Sequence, residues 1–292
     1  MNVTRELDHV GVAIKDLERG RAIYQRLGFR LTARSIHSGS REPGGPVEPW
    51  GSGNHCAMFE QGYLEIIGLT DPTRYSSVQP MVAAYEGLHI VAIGCGSADA
   101  AYAEFQRAGA PVDAVRSLER DAAFGVQDEA IRRARFRNMY VDRTTFSEAK
   151  FLFIEHLTRE VLWQPHLLQH PNTAVGIEAV YFVSNDPAAT AQKFAGLFSQ
   201  DHQEMHGAHR LRLARGELWV TTPEAWRSRV PGKFLPPLPA PAGFGVRVRS
   251  LATTREWLTQ QGVAIQTGMH DGSSFWVAPE EAGGAAIQFI QA

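Results

Sequence analysis

Four polar side chains interrupt apolar, strand-like runs of the chain. His9 lies in "LDHVGVAI", Glu65 in "YLEIIG", His89 in "LHIVAI" and Glu155 in "FLFIEHL". In the first run Val10, Val12 and Ile14 alternate with Gly11 and Ala13, so a strand there has unequal faces, with His9 on the face of the small residues. An unpaired carboxylate among apolar neighbours is costly to bury, and a divalent cation would supply the missing charge. Two imidazoles and two carboxylates suit Zn, Ni, Mn, Co or Fe(II) better than Ca or Mg.

The elements that must position these residues recur as one unit: a strand, a helix, then two or three strands. "LDHVGVAI" leads into the helical "KDLERGRAIYQRLGF", with Asp16 placed to cap its start and Gly28 to end it. "FRLTARSI", "GNHCAMFEQG" and "GYLEIIGL" follow as strands. The second copy runs from "GLHIVAIGC" through the helix "SADAAYAEFQRAGA", closed by Gly109, to "VDAVRSL", "ARFRNMYVD" and "AKFLFIEHL". The third has "GIEAVYFVS", "DPAATAQKFAGLF" and "RLRLARGELWVTT". The fourth has "GFGVRVRS", "LATTREWLTQQGV", "SSFWVAP" and "AAIQFIQA". Two or three strands after each helix argue for an α+β fold rather than a doubly wound parallel sheet. The expected division is a first domain over 1–165 and a second over 171–292, joined through "LTREVLWQPHLLQHPNTAVG". The segment 38–53 reads as a loop, and "VPGKFLPPLPAPAG" as an extended connection between the last two copies.

Composition narrows the function. The chain has 292 residues with 29 Lys and Arg against 31 Asp and Glu, a formal charge of -2. That balance makes no electrostatic case for nucleic acid or an anionic membrane. No apolar run is long enough to span a bilayer, "MNVTRELDHV" lacks a signal-peptide core, and Cys56 and Cys95 sit in apolar runs as buried thiols. The expectation is a cytoplasmic protein acting on a small molecule, with a homodimer left open.

The opening "DHVGVAIKDLERGRAIYQRLGF" resembles the start of vicinal oxygen chelate proteins, the superfamily of glyoxalase I, extradiol dioxygenases and bleomycin-resistance proteins. "GNHCAMFEQGYLEIIG" followed by "HPNTAVGIEAVYF" is similar to its glyoxalase-like branch. The resemblance covers nearly the whole chain and is specific over the first half. It implies four βαβββ modules paired into two glyoxalase/dioxygenase-like domains. It also implies metal ligands at His9, Glu65, His89 and Glu155, with His156 as the neighbour that a one-residue shift would turn inward instead. The corresponding places in the second half hold Ala179, Trp219, Gly245 and Gln288, which implies a second domain without a metal.

The leading expectation is a divalent-metal-dependent lyase or isomerase. The ion would polarise a carbonyl or enediolate, and Glu65 or Glu155 would move a proton as the catalytic base. A ring-cleaving dioxygenase using His9, His89 and Glu155 on Fe(II) is the second reading. A non-catalytic binder of an antibiotic or metabolite is the third, with Trp50, Trp163, Phe59 and Phe124 as candidate walls. His37 and His55 flank the 38–53 segment. Arg135 and Arg137 share one face as candidate anion receptors, and His170, Pro171 and Asn172 are expected to be structural.

Overall fold

The structure, a computed structural model, describes residues 5–42, 45–267 and 273–292. The first module is β1 (Glu6–Ile14), α1 (Leu17–Arg26), β2 (Ser35–Gly39), β3 (Glu48–Met58) and β4 (Tyr63–Leu69). After α2 (Gln79–Ala84), the second is β5 (Gly87–Gly94), α3 (Ala98–Ala108), β6 (Arg116–Phe124), β7 (Ala130–Tyr140) and β8 (Lys150–His156). The short α4 (Arg159–Leu162) precedes the third: β9 (Ala174–Val183), α5 (Pro187–Phe198), β10 (His202–Met205), β11 (Ala208–Arg212) and β12 (Glu217–Thr221). After α6 (Pro223–Arg229), the fourth is β13 (Ala240–Val248), α7 (Leu251–Gln260), β14 (Ile265–Thr267), β15 (Ser274–Val277) and β16 (Ala286–Gln291). This is an α+β fold of four βαβββ modules, paired into two glyoxalase/dioxygenase-like halves.

Local chemistry sets the helix ends. The Asp16 carboxylate accepts hydrogen bonds from the amides of Glu18 and Arg19 at 3.0 and 3.1 Å, meeting two of the unpaired donors of the first turn of α1. Gly109 ends α3 at a φ of 65°, a left-handed value that a residue with a Cβ resists.

Among the described residues the strands form two sheets of eight, ordered β2-β3-β4-β1-β5-β8-β7-β6 and β10-β11-β12-β9-β13-β16-β15-β14. In each, two opening strands pair antiparallel at the centre, and each pairs in parallel with its own module's closing strand. The structure adjusts the sequence reading in several places. Much of 38–53 is not loop but the arms of the β2–β3 hairpin, although Pro43 and Gly44 lie outside the described residues. "RLRLARGELWVTT" is two strands, broken where Gly216 turns at a φ of 86°.

One face of each sheet packs into a continuous core that both halves share. Phe151 of the first sheet stacks on Phe182 of the second with ring centroids 5.8 Å apart, and Phe29 stacks on Phe289 at 6.2 Å. Buried polar bonds accompany these contacts. Tyr24 Oη donates to the Ala282 carbonyl at 2.9 Å, and Asn172 Nδ2 donates to the Leu27 carbonyl at 2.9 Å. His170 accepts from the Arg30 amide at Nδ1 and donates from Nε2 to the Met58 carbonyl, so His170 and Asn172 of "HPNTAVGIEAV" are structural as expected. The other face of each sheet forms a cup. In the first half α2 partly fills it, with Val78, Met81 and Val82 packed on Ala13, Ile67, Ile90, Ala92, Leu152 and Ile154.

Candidate active site on the cup face of the first sheet

Period-2 alternation decides which side chains enter the cup. On β4, Leu64 and Ile66 turn into the shared core, so Tyr63, Glu65 and Ile67 face the other way. His9 joins them: its ring stacks on Tyr63 at 4.1 Å with the planes 19° apart. Gly11 pairs with Glu65 across β1 and β4, so His9 and Glu65 stand on one face of adjacent strands. Gly11 is not a vacancy beside a ligand, because a Cβ there would lie 2.8 Å from Ile90 Cβ.

Strand register decides the rest. The β1–β5 pairing is centred on Val10 opposite Val91, so the pseudo-twofold relation carries His9 to Ile90 and Gly11 to Ala92. Gly11 pairs with Glu65, and Ala92 pairs with Leu152. In the second half the centre is Val180 opposite Phe244, and the matching pairs are Tyr181 with Trp219 and Gly245 with Gln288. The four equivalent closing-strand positions therefore hold Glu65, Leu152, Trp219 and Gln288. Leu152, not Glu155, is the counterpart of Glu65.

The four expected ligands are placed apart from one another. The pairing steps from Gly11–Ile90 to Val12–Leu88 and skips His89, which sits in a bulge. His89 stacks on Tyr85 at 3.9 Å and donates from Nε2 to the Tyr85 carbonyl at 3.0 Å. Glu155 points to the helix side and accepts the Ala98 amide at 2.8 Å, at the first turn of α3. His9 uses Nδ1 on Asp8 at 2.7 Å and faces the Tyr63 hydroxyl from Nε2 at 3.3 Å. Among the described residues no group of three or more His, Cys, Asp or Glu side chains is placed to share an ion. His9, Glu65, His89 and Glu155 as arranged do not fit a divalent metal. The dioxygenase triad of His9, His89 and Glu155 is not assembled, and Glu155 is not placed to act as a base in the cup.

Two polar groups do assemble there. In the first, Asp8 Oδ1 receives His9 Nδ1 and His156 Nε2, the latter at 3.1 Å. Burial would raise the Asp8 carboxyl, but the hydrogen bonds from His156 and His9 outweigh it and hold the group well below its ordinary value. Tyr63 and Trp163 each meet the His156 ring edge-on, and Trp163 Nε1 donates to the Phe59 carbonyl at 2.9 Å. His156, not Glu155, thus takes the inward direction at the end of β8.

The second group centres on Glu65. Asn54, on β3, donates from Nδ2 to Glu65 Oε1 at 2.5 Å and fixes the carboxylate. Lys150, paired with Ile90 on the cup face, and His37 both lie within electrostatic range of Glu65. Burial lowers the Lys150 ammonium and the His37 imidazole, and in each case Glu65 opposes the shift. His37 Nδ1 stands 3.0 Å from Ser52 Oγ, on the same face of β3 as Asn54. Arg120 Nη1 donates to Ser35 Oγ at 3.1 Å across the gap between the edge strands β2 and β6. A cavity of about 40 Å³ lies there, lined by Ser35, Cys56, Met58, Arg120 and Ala122 among others, and Cys56 is the β3 partner of Glu65. Asn54, Lys150 and Arg120 were not singled out in the sequence. The available signal was the alternation of Ser52 and Asn54 within "GSGNHCAM".

The remaining candidates have other partners. Arg137 forms an ion pair with Asp99 on α3, and Arg135 lies near Glu119, so neither is a free anion receptor. His55 Nδ1 donates to the Thr32 carbonyl at 2.8 Å. Trp50 packs edge-on to Tyr75, Phe124 lies under the Arg132 guanidinium, and Phe59 is in the core. Cys56 and Cys95 are buried free thiols, and burial pushes each up to about 12. No helix among the described residues is long and apolar enough to cross a membrane.

Comparison with known proteins agrees with this architecture. A hypothetical protein from Staphylococcus aureus aligns at a TM-score of 0.63 with 14% identity, over 99% of this chain and 100% of that one. A mutant 4-hydroxymandelate synthase from Streptomyces coelicolor aligns at 0.58 with 13% identity, over 99% and 93%. The Mn(II)-bound glyoxalase from Novosphingobium aromaticivorans aligns at 0.55 with 12% identity, over 100% and 83%. At these identities the likeness is one of fold. No curated protein matches the chain. The model of the glyoxalase-like domain matches residues 7–198, and with the four-module fold this places the protein in the glyoxalase-like family of the vicinal oxygen chelate superfamily.

Proposed function

We propose that the first cup is the active site of a lyase or isomerase that moves a proton on a small oxygenated substrate, with Glu65 as the base. The observation that carries this reading is the Glu65 carboxylate, held at Oε1 by Asn54 and set among the basic side chains Lys150, Arg120 and His37. A carboxylate fixed in this way takes a proton from the carbon next to a carbonyl. The Lys150 ammonium and the Arg120 guanidinium stabilise the oxyanion that develops. Returning the proton to the neighbouring carbon gives an isomerase, and expelling a leaving group gives a lyase. Arg120 and Ser35 bridge the gap between β2 and β6 beside a cavity with room for only a few waters at about 10–15 Å³ each.

The test is proton exchange in D2O on a panel of small α-hydroxycarbonyl compounds, followed by loss of the α-proton NMR signal. Exchange by the wild-type protein that falls by about 10²–10⁴ in Glu65→Gln supports the reading. Compounds that bind without exchange would leave a binding protein and sink it.

A further inference from the structure

We infer that the cup of the second sheet is a separate binding site for a small neutral aromatic ring bearing one hydroxyl or carbonyl substituent. A cavity of about 70 Å³ lies there, against the roughly 10–15 Å³ that a single water needs. Its walls include Trp219, Trp226, Trp276 and Tyr181. These rings already form a box. Trp226 and Trp276 meet edge-on at 5.7 Å with planes at 80°, and Tyr181 leans on Trp276 at 5.1 Å and on Trp226 at 6.2 Å. Trp219 and Gln288 occupy the positions that Glu65 and Leu152 hold in the first half, so this cup has an indole where the first has its carboxylate.

The box is closed by elements outside the modules. α6 brings Trp226 over the sheet, where it packs with Val183, Ala242, Ala286 and Trp276, and Leu235 and Leu238 of the proline-rich connection pack beside them. Within this apolar lining the Thr221 hydroxyl is unmatched. Thr221, 8% exposed and facing the cup beside Trp219 on β12, has a hydroxyl without a hydrogen-bond partner among the described residues. A buried hydroxyl without a partner carries a desolvation cost, which a polar substituent on a ligand would relieve. Beside it, Tyr181 donates to Gln288 Oε1, Gln288 Nε2 donates to Ser274 Oγ at 3.0 Å, and Trp219 Nε1 donates to Glu217 Oε2 at 3.0 Å.

Charge selects against a cation. Arg229 lines the cavity, and the Arg210 guanidinium lies 5.5 Å from the Trp219 ring centroid. A cationic ligand would meet like charge at Arg229, whereas Arg210 is paired with Glu217 at 3.6 Å. A flat neutral ring instead gains stacked and edge-on contacts with four aromatic walls.

The test uses the full chain labelled with ¹⁵N at tryptophan, titrated with phenol, benzene, cyclohexanol and tetramethylammonium. Six indole signals are available, and single Trp→Phe variants assign them. Phenol is expected to move the Trp219, Trp226 and Trp276 signals saturably, with cyclohexanol and tetramethylammonium at least tenfold weaker. Thr221→Val, nearly isosteric, should weaken phenol about two- to tenfold and leave benzene unchanged. Ala225→Leu, which fills the cavity from α6, should abolish both while keeping the other indole signals in place. The proposal is overturned if phenol gives no saturable shift, if tetramethylammonium binds more tightly than phenol, or if Thr221→Val weakens phenol and benzene alike.

Discussion

His156 Nε2 stands 3.1 Å from Asp8 Oδ1, tying the end of β8 to the start of β1 through a buried carboxylate that His9 also contacts. Asp8→Asn removes the acceptor charge while keeping the size of the side chain. It should cost about 2–3 kcal/mol, read as the change in chemical-denaturation midpoint at constant slope. The carboxyl is depressed in the folded state, so its contribution is complete at neutral pH. It is lost as pH falls below the ordinary carboxyl value of 3.8 towards the folded value. Asp8→Asn should remove that part of the acid sensitivity.

His89 and His170 give an acid dependence in a different window. Burial lowers each imidazole from 6.5 to about 4, so the folded protein favours the neutral form. Above pH 6.5 neither state is charged and nothing is lost. As pH falls from 6.5 to about 4 the unfolded chain takes up protons first, and stability declines by up to about 1.4 kcal/mol per pH unit for each group. His89→Phe keeps the stack on Tyr85 and should halve that slope in denaturation curves taken between pH 6 and 5. Its divalent-metal content, read by elemental analysis, should equal that of the wild type.

Glu155→Gln tests the helix role. The side chain keeps an oxygen for the Ala98 amide but loses the charge that favours the start of α3. A loss of about 0.5–1 kcal/mol is expected in thermal denaturation, with proton-exchange activity at the wild-type level. A fall in activity comparable to that of Glu65→Gln would return Glu155 to the cup.

Lys150→Met keeps the length of the side chain and removes its charge beside Glu65. It should lower kcat by about 10²-fold with a smaller change in KM, because the ammonium is needed most when the oxyanion develops. Steady-state kinetics on whichever α-hydroxycarbonyl compound exchanges best would measure this. An unchanged kcat would remove Lys150 from the mechanism.

Much of the architecture was legible locally. Asp16 as a cap, Gly109 as a helix end and the alternation of "LDHVGVAI" depend only on residues near them in sequence. α2 and α6 were not anticipated. They are six and seven residues long, too short for a helical period to stand out, and they form where they can pack into the cups.

The candidate site divides along the same line. The alternation of β4 was enough to set Glu65 apart from Leu64 and Ile66, and the polarity of His9 marked β1 as facing something other than a plain core. What tertiary structure alone decided was which residues stand opposite each other. One bulge moves His89 out of the pairing and puts Ile90 in the place related to His9, and the β5–β8 register brings Leu152 to the place related to Glu65. Glu155, three residues further on, faces the helices and meets α3. Side-chain direction follows from the nearest residues of one chain, whereas register is set by hydrogen bonds between strands far apart in sequence. A one-residue slip reverses every side chain, so similar spacing in two modules does not ensure that like residues converge.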